Sequence, residues 1–158
     1  MATAFAGLQF SPSSVGRGTA ILFGILGVSV GIRSFLSPAS YSEMFGFGPK
    51  TSTTLTAKSN PFIPVAGGRA IASSVGLLWC AYLKLDTALA VLLVTGGIVG
   101  LIDGLCVLKF TEPIDEKATG DDKNVELERV RIARQTAWGH WSIISVAVAI
   151  GAWMLVNA

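Results

Sequence analysis

The chain has 158 residues, of which 51% are hydrophobic and only 14% are charged. Soluble domains carry roughly 25% charged residues, so this composition excludes an ordinary soluble globular fold. The net charge is only +2, and no basic stripe is interleaved with aromatic residues, which excludes a nucleic-acid-binding protein.

Four apolar runs predict four transmembrane helices. Each run is long enough to cross a bilayer core of about 30 Å. A chain inside lipid must satisfy its own backbone hydrogen bonds, which favours helices over buried strands. We therefore predict an all-α integral membrane protein, a four-helix bundle forming a single domain over residues 1–158. The predicted spans are approximately 19–36, 61–83, 87–108 and 137–156.

The three connections between these spans differ in character. Only Lys84, Leu85 and Asp86 separate the second and third spans, which predicts a tight antiparallel hairpin. The third connection, residues 109–134, is the soluble part of the molecule. Within it we predict a helix that begins at Asp121 or Asp122 and runs into the fourth span.

The first connection contains the sequence SPASYSEMFGFGP, which predicts a short interfacial helix after the first span. Pro38 suits the first turn of a helix, and Tyr41 and Phe45 follow at helical spacing. We expect this helix to end at the residues Gly46, Gly48 and Pro49.

The distribution of Lys and Arg predicts the orientation of the bundle. The first and third loops lie on the same side of the bundle and carry most of the basic residues, whereas the opposite side carries only Arg17 and Lys84. Cytoplasmic loops are enriched in basic residues. Both termini should therefore be non-cytoplasmic. We expect the membrane to be that of the endoplasmic reticulum or another endomembrane. The first and third loops carry eight basic residues: Lys50, Lys58, Lys109, Lys117, Lys123, Arg129, Arg131 and Arg134.

Small residues recur four apart within every span. This spacing lets membrane helices approach closely, and we interpret it as packing within one bundle rather than as a dimer interface. The rows are Gly27 and Gly31; Gly68, Ala72, Gly76 and Cys80; Gly96, Gly100 and Gly104; and Ala147 and Gly151.

Each span contains one ionisable residue: Arg33, Arg69, Asp103 and His140. With a rise of about 1.5 Å per residue, all four lie roughly 5–12 Å below the same membrane face. Ionisable groups inside a membrane are costly and usually face the bundle interior with a partner. We therefore predict a polar site that opens toward the cytoplasm.

These residues suggest specific roles. An Arg69–Asp103 ion pair would cross the hairpin. Asp103 and His140 would form a catalytic acid–base couple, because a His of ordinary pKa can carry protons near neutral pH. Arg69 and Arg33 would bind an anionic ligand group. No metal site and no cofactor are expected.

A purely structural interpretation competes with these roles. The Arg69–Asp103 pair can simply fix helix register. His140 can belong to an interfacial aromatic belt beside Trp138 and Trp141, and Arg33 can extend to the lipid headgroups.

Three stretches carry a resemblance to a known family: GGRAIASSVGLLWCAYL, VGLIDGLCVLKF and AWGHWSIISVAVAIGAWML. Together with SPASYSEMFGFG they resemble a family of small four-span membrane proteins of unknown function. That family is common in ascomycete fungi and distantly similar to DoxX-type proteins. The resemblance implies the fold and the membrane location, and it implies no established activity. Small fungal membrane proteins of this size also occur among genes for natural-product biosynthesis.

Two functional hypotheses follow. The first is a membrane enzyme that binds an apolar small molecule and isomerises or cyclises it with Asp103 and His140. The alternative is a non-catalytic membrane module that binds lipid or stabilises a partner protein. Transport is ranked lowest, because the spans show neither broken helices nor an inverted repeat.

Overall fold

A computed structural model describes residues 11–45, 62–111 and 121–157, and every regular element in these ranges is a helix. Four of the helices are long and apolar enough to cross a membrane, which confirms the predicted all-α membrane bundle. The helices are α1 (Pro12–Leu36), α2 (Pro38–Glu43), α3 (Phe62–Tyr82), α4 (Asp86–Thr111) and α5 (Asp121–Val156).

Two helices begin well before the predicted spans. The Ser11 side chain caps α1 by accepting a hydrogen bond from the Ser14 backbone N–H at 3.2 Å, and Pro12 occupies the first turn. Arg17 therefore lies inside α1. Helix α5 begins at Asp121 and has 36 residues, roughly 54 Å at the standard rise, so its first turns extend beyond the membrane-crossing segment Val130–Val156.

Helix α2 is the short helix predicted after the first span. It follows α1 after the single residue Ser37. The residues expected to end it, Gly46, Gly48 and Pro49, lie outside the described residues.

The α3–α4 hairpin closes through a Schellman turn. The Leu85 N–H donates to the Cys80 carbonyl at 2.9 Å, and the Lys84 N–H donates to the Ala81 carbonyl at 3.3 Å. Lys84 adopts the left-handed conformation with φ of 57°. This position usually carries glycine, because a Cβ atom is disfavoured there.

Replacing Lys84 with glycine should therefore stabilise the protein. We expect Lys84→Gly to raise the free energy of unfolding in detergent by about 0.5–1 kcal/mol. Lys84→Ala is the control, since it removes the same charge and keeps Cβ. Equal effects of the two variants would assign the change to charge and contradict the backbone explanation.

The bundle consists of two closely packed helix pairs, α1 with α3 and α4 with α5. In the first pair, a Cβ on Gly31 would lie 2.8 Å from the Gly67 carbonyl oxygen. In the second pair, a Cβ on Gly151 would lie 2.8 Å from the Ala90 carbonyl oxygen. Glycine at these positions lets the two backbones of each pair touch.

The small-residue prediction is correct for some glycines and wrong for others. Gly27, Gly31, Gly100, Gly104 and Gly151 pack against a neighbouring helix as expected. A Cβ on Gly68, Gly76 or Gly96 would meet nothing within 4 Å. The α3 row that packs on α1 is displaced from the predicted one and consists of Gly67, Ile71, Ser74 and Leu78.

This difference predicts opposite responses to alanine. Gly31→Ala should lower the free energy of unfolding by about 1–3 kcal/mol, because the added methyl group meets the α3 backbone. Gly76→Ala should be neutral or stabilising, because Gly76 has open space and alanine favours helix. Thermal unfolding of both variants in the same detergent measures the contrast. Equal destabilisation would contradict the described α1–α3 interface.

Hydrophobic packing joins the two pairs mainly in the half of the bundle that contains the hairpin. The buried cluster with residues from all four long helices is Ala20, Ala81, Leu89, Ala90, Leu93, Ala147 and Met154. In the other half, the buried side chains Ser34 and Ile63 belong to the first pair, and Val107 and Ala137 to the second. The two pairs are therefore less closely joined toward the α2 end.

An ion pair strengthens the end of the bundle where hydrophobic packing joins the two helix pairs, which we call the closed end. The Arg17 guanidinium donates from Nε and Nη2 to the two carboxylate oxygens of Asp86, at 2.7 and 2.6 Å. This two-point contact links α1 to the start of α4.

Candidate functional site

The ion pair predicted between Arg69 and Asp103 is present at the less closely joined end. Nη2 of Arg69 donates to both carboxylate oxygens of Asp103, at 2.8 and 2.7 Å. Arg69 belongs to α3 and Asp103 to α4, so the contact connects the two helix pairs.

This ion pair is not buried, although both residues lie within membrane-crossing helices. The Arg69 side chain is 56% exposed and the Asp103 side chain 35% exposed. From the sequence, both residues are expected to face the bundle interior. The physical reason for the difference is that α3 packs on α1 and α4 packs on α5, which leaves the Arg69 and Asp103 faces without tight packing.

From two lines of residues we infer a cleft between the pairs. Leu89 belongs to the buried cluster near the hairpin, and Leu77 packs against that cluster. Ser73 is exposed, and a Cβ on Gly96 would meet nothing within 4 Å. We call this space the inter-pair cleft; its α3 line is Leu77, Ser73 and Arg69, and its α4 line is Leu89, Gly96 and Asp103.

Helix α2 lies near the ion pair and is tied to two of the long helices. Nη2 of Arg33 donates to the Ser40 hydroxyl at 2.6 Å, which ties α2 to α1. The Thr136 hydroxyl donates to the Met44 carbonyl at 2.8 Å, which ties the end of α2 to α5. Arg33 therefore holds α2 in place and does not contact the ion pair.

Tyr41, on α2, is close enough to the ion pair for both of its charges to affect the phenol. Tyr41 is buried, and burial raises the pKa of its phenol above the ordinary value. The nearby Asp103 carboxylate raises this pKa further, and the Arg69 guanidinium opposes that effect. The Tyr41 and Phe45 ring centroids are 5.1 Å apart, and those of Phe45 and His140 are 6.5 Å apart.

His140 lies on the α5 side of the same region. Its Cδ2 atom is 3.7 Å from the position that a Cβ on Gly100 would occupy. Among the described residues it makes no hydrogen bond to Asp103, so the two do not form a direct pair in this conformation. The structure thus brings Arg69 and Asp103 into contact and places His140 next to Phe45 and beside Gly100, which lies three residues before Asp103.

The two tryptophans that flank His140 have different surroundings. Trp138 is 64% exposed on the outside of the bundle. Trp141 packs on Gly104, and its indole N–H donates to the Leu101 carbonyl at 3.4 Å. Only Trp138 thus has the outward position of an interfacial aromatic residue.

Sequence analysis did not select Tyr41 and Phe45 as site residues. Their helical spacing was visible, and it correctly predicted a helix. The sequence does not reveal that this helix lies near the ion pair, because that depends on the contacts of Arg33 and Thr136 with α2.

The chemistry available in the cleft is hydrogen bonding and proton transfer. The groups present are a guanidinium, a carboxylate, a phenol and an imidazole. Within the described ranges, no group of three His, Cys, Asp or Glu side chains is arranged to hold a metal ion.

These features define a small multi-pass helical membrane protein in which a partly exposed ion pair connects two helix pairs. The chain belongs to the family described as Domain of unknown function (DUF4267), whose model matches residues 24–154. The match includes α2, α3 and α4, about half of α1 and most of α5. No curated protein and no solved structure matches the chain.

The coupling between Arg69 and Asp103 can be measured by a double-mutant cycle. Arg69→Gln and Asp103→Asn should each lower thermal stability in detergent, because each leaves its partner's charge uncompensated. The double variant should recover much of the loss, with a coupling free energy of about 0.5–3 kcal/mol.

The control cycle combines Arg69→Gln with Asp86→Asn. These residues lie at opposite ends of the bundle, so their effects should add within about 0.5 kcal/mol. If the Arg69 and Asp103 effects also simply add, the ion pair does not connect the two helix pairs.

Proposed function

We propose that the inter-pair cleft binds an apolar small molecule that carries a polar group. The observation that supports this proposal is the exposure of the Arg69–Asp103 pair inside membrane-crossing helices. An ion pair in contact with lipid tails is costly, so a polar group of a ligand or water is the favoured neighbour. The apolar part of the ligand would lie against the α3 and α4 lines of the cleft.

In the catalytic form of this proposal, Asp103 and His140 act as acid and base in an isomerisation or cyclisation. The two residues face the same region without a direct hydrogen bond, so a substrate placed between them would link them. Arg69 would bind the polar group of the substrate. Arg33, proposed from the sequence as a second ligand-binding residue, would act indirectly by holding α2 over the cleft.

The alternative function is a non-catalytic module that binds lipid or stabilises a partner protein. The observation that favours a partner is the open space at Gly68 and Gly76, where another helix can approach the α3 backbone closely. In this case a partner helix would cover the ion pair, and no small molecule would be retained.

The orientation and cellular location are part of the same proposal. The excess of basic residues in the first and third loops supports an orientation with the α2 end of the cleft toward the cytoplasm and both termini on the other side. Three further inferences come from the sequence resemblance. They are an endomembrane location such as the endoplasmic reticulum, a fungal family distantly similar to DoxX-type proteins, and a role in natural-product biosynthesis.

The binding proposal predicts that a small molecule co-purifies with the protein. Native mass spectrometry of protein released from a mild detergent should detect wild-type protein carrying an apolar molecule other than a phospholipid. Arg69→Gln/Asp103→Asn should lose it, and His140→Ala should carry less of it while remaining folded.

The matched control is Arg17→Gln/Asp86→Asn, which removes the other inter-pair ion pair at the closed end of the cleft. This variant should keep the bound molecule. Equal occupancy in all variants, or wild-type protein that carries only phospholipid, would contradict the proposal. Wild-type protein that instead carries a second protein chain would support the partner alternative.

A further inference from the structure

The Tyr41 hydroxyl forms no hydrogen bond with any residue that the structure describes. Tyr41 is only 9% exposed. Asp103 and Arg69 are close enough to affect its hydroxyl electrostatically. A buried hydroxyl without a partner is costly, whereas a phenylalanine of the same shape carries no such cost. This hydroxyl therefore needs an account beyond packing.

The neighbouring Arg69 side chain also offers unused hydrogen-bond donors. Arg69 contacts Asp103 through Nη2 alone, so its Nε and Nη1 groups make no hydrogen bond within the described ranges. Both Asp103 oxygens already accept from Arg69. A neutral imidazole such as that of His140 offers one N–H donor and one acceptor nitrogen. The unused donors of Arg69 thus suit a molecule that supplies hydrogen-bond acceptors.

The charge of the cleft favours a neutral acceptor. Arg69 and Asp103 cancel each other, and the Arg33 guanidinium is directed to Ser40. A carboxylate or phosphate would bring a net negative charge between membrane-crossing helices, where unpaired charge is costly. The oxygen of a ketone, aldehyde or ester accepts hydrogen bonds without adding charge.

We therefore propose that Tyr41 is a ligand-binding residue, and that the ligand is a neutral apolar molecule whose carbonyl oxygen accepts hydrogen bonds from Tyr41 and Arg69. This inference rests on the proposed function and adds the chemical class of the ligand. The phenol lies on α2, so the helix that covers the cleft also supplies a recognition group.

A neutral photoreactive ketone, 4-hexylbenzophenone, is a suitable probe. Irradiation cross-links its carbonyl carbon to neighbouring C–H groups, and mass spectrometry identifies the labelled peptides. The concentration dependence of labelling gives an apparent Kd. In wild-type protein we expect saturable labelling of the peptides that contain Phe45 and His140. Excess 4-hexyldiphenylmethane, which lacks the carbonyl oxygen, should compete poorly with the probe for this labelling.

The test variant is Tyr41→Phe, with Tyr82→Phe as the control. Tyr82 lies at the other end of α3 and is 77% exposed. Loss of one hydrogen bond should raise the apparent Kd of Tyr41→Phe about fivefold, measured at the His140 peptide. The unliganded Tm of Tyr41→Phe should be equal to or above that of wild type, because the unpartnered hydroxyl has been removed. Tyr82→Phe should leave both quantities unchanged.

Four results would overturn the inference. An unchanged Kd in Tyr41→Phe would mean that the hydroxyl does not contact the ligand, and a lower unliganded Tm would give it a structural role. A neutral carbonyl ligand would be excluded if dodecanoate displaced the probe more strongly than the unreactive neutral ketone dodecan-2-one did. It would also be excluded if no peptide around the cleft were labelled. The proposed function would survive each of these results if the co-purifying molecule is still lost in Arg69→Gln/Asp103→Asn.

Discussion

Close backbone contact within two helix pairs is the constraint on which the rest of this structure depends. Glycines allow α1 to touch α3 and α4 to touch α5, so the small faces of the helices are used within the pairs. Large side chains such as Leu22, Val91 and Ile143 remain on outward, lipid-facing surfaces. Few apolar side chains are then left to join one pair to the other, and those few are concentrated near the hairpin.

The polar residues follow from this arrangement. Where apolar packing joins the pairs, the Arg17–Asp86 contact closes the end of the bundle. Where the pairs are less closely joined, Arg69 and Asp103 bridge the gap, and their side chains stay partly exposed. The two ion pairs therefore differ in setting although their bond lengths are similar. The first fastens the closed end, and the second lies where a small molecule can reach it.

Helix α2 links the fold to the proposed site. It is short, and side-chain hydrogen bonds from Arg33 and Thr136 tie it to the long helices. Each such bond contributes only about 1 kcal/mol, so the cover of the cleft is less strongly held than the pairs beneath it. A cover of this kind suits a site that an apolar molecule enters from the membrane, because local opening need not disturb the rest of the bundle.

Much of this fold could be predicted from the sequence. The four spans follow from the length of the apolar runs, the α3–α4 hairpin from its short connection, and α2 from Pro38 and the spacing of its aromatic residues. The Arg69–Asp103 contact was predictable because both residues lie at similar depth on neighbouring antiparallel helices. These features depend on local sequence or on simple counting along helices.

The pairing of the helices could not be predicted in the same way. Gly67 and Gly68 are adjacent and equally small, and only the crossing with α1 decides that Gly67 packs while Gly68 remains open. The exposure of Arg69 and the position of Tyr41 both depend on that choice. The role of Arg17 was missed because a basic residue near an N-terminus resembles a flanking charge until its partner Asp86 is identified.

The central claim is that a polar cleft separates the two helix pairs beside Arg69. Ser73 and Ala72 are neighbours at nearly the same depth, but Ser73 continues the cleft line of Arg69 and Leu77, whereas Ala72 is turned away from it. Nitroxide labels at these two positions, in protein with Cys80 and Cys106 replaced by serine, can be compared by electron paramagnetic resonance in lipid bilayers. We predict that the label at Ser73 collides more with a water-soluble nickel chelate and the label at Ala72 more with oxygen. Equal, oxygen-dominated collision at both positions would show that lipid fills the space between the pairs and would contradict this account.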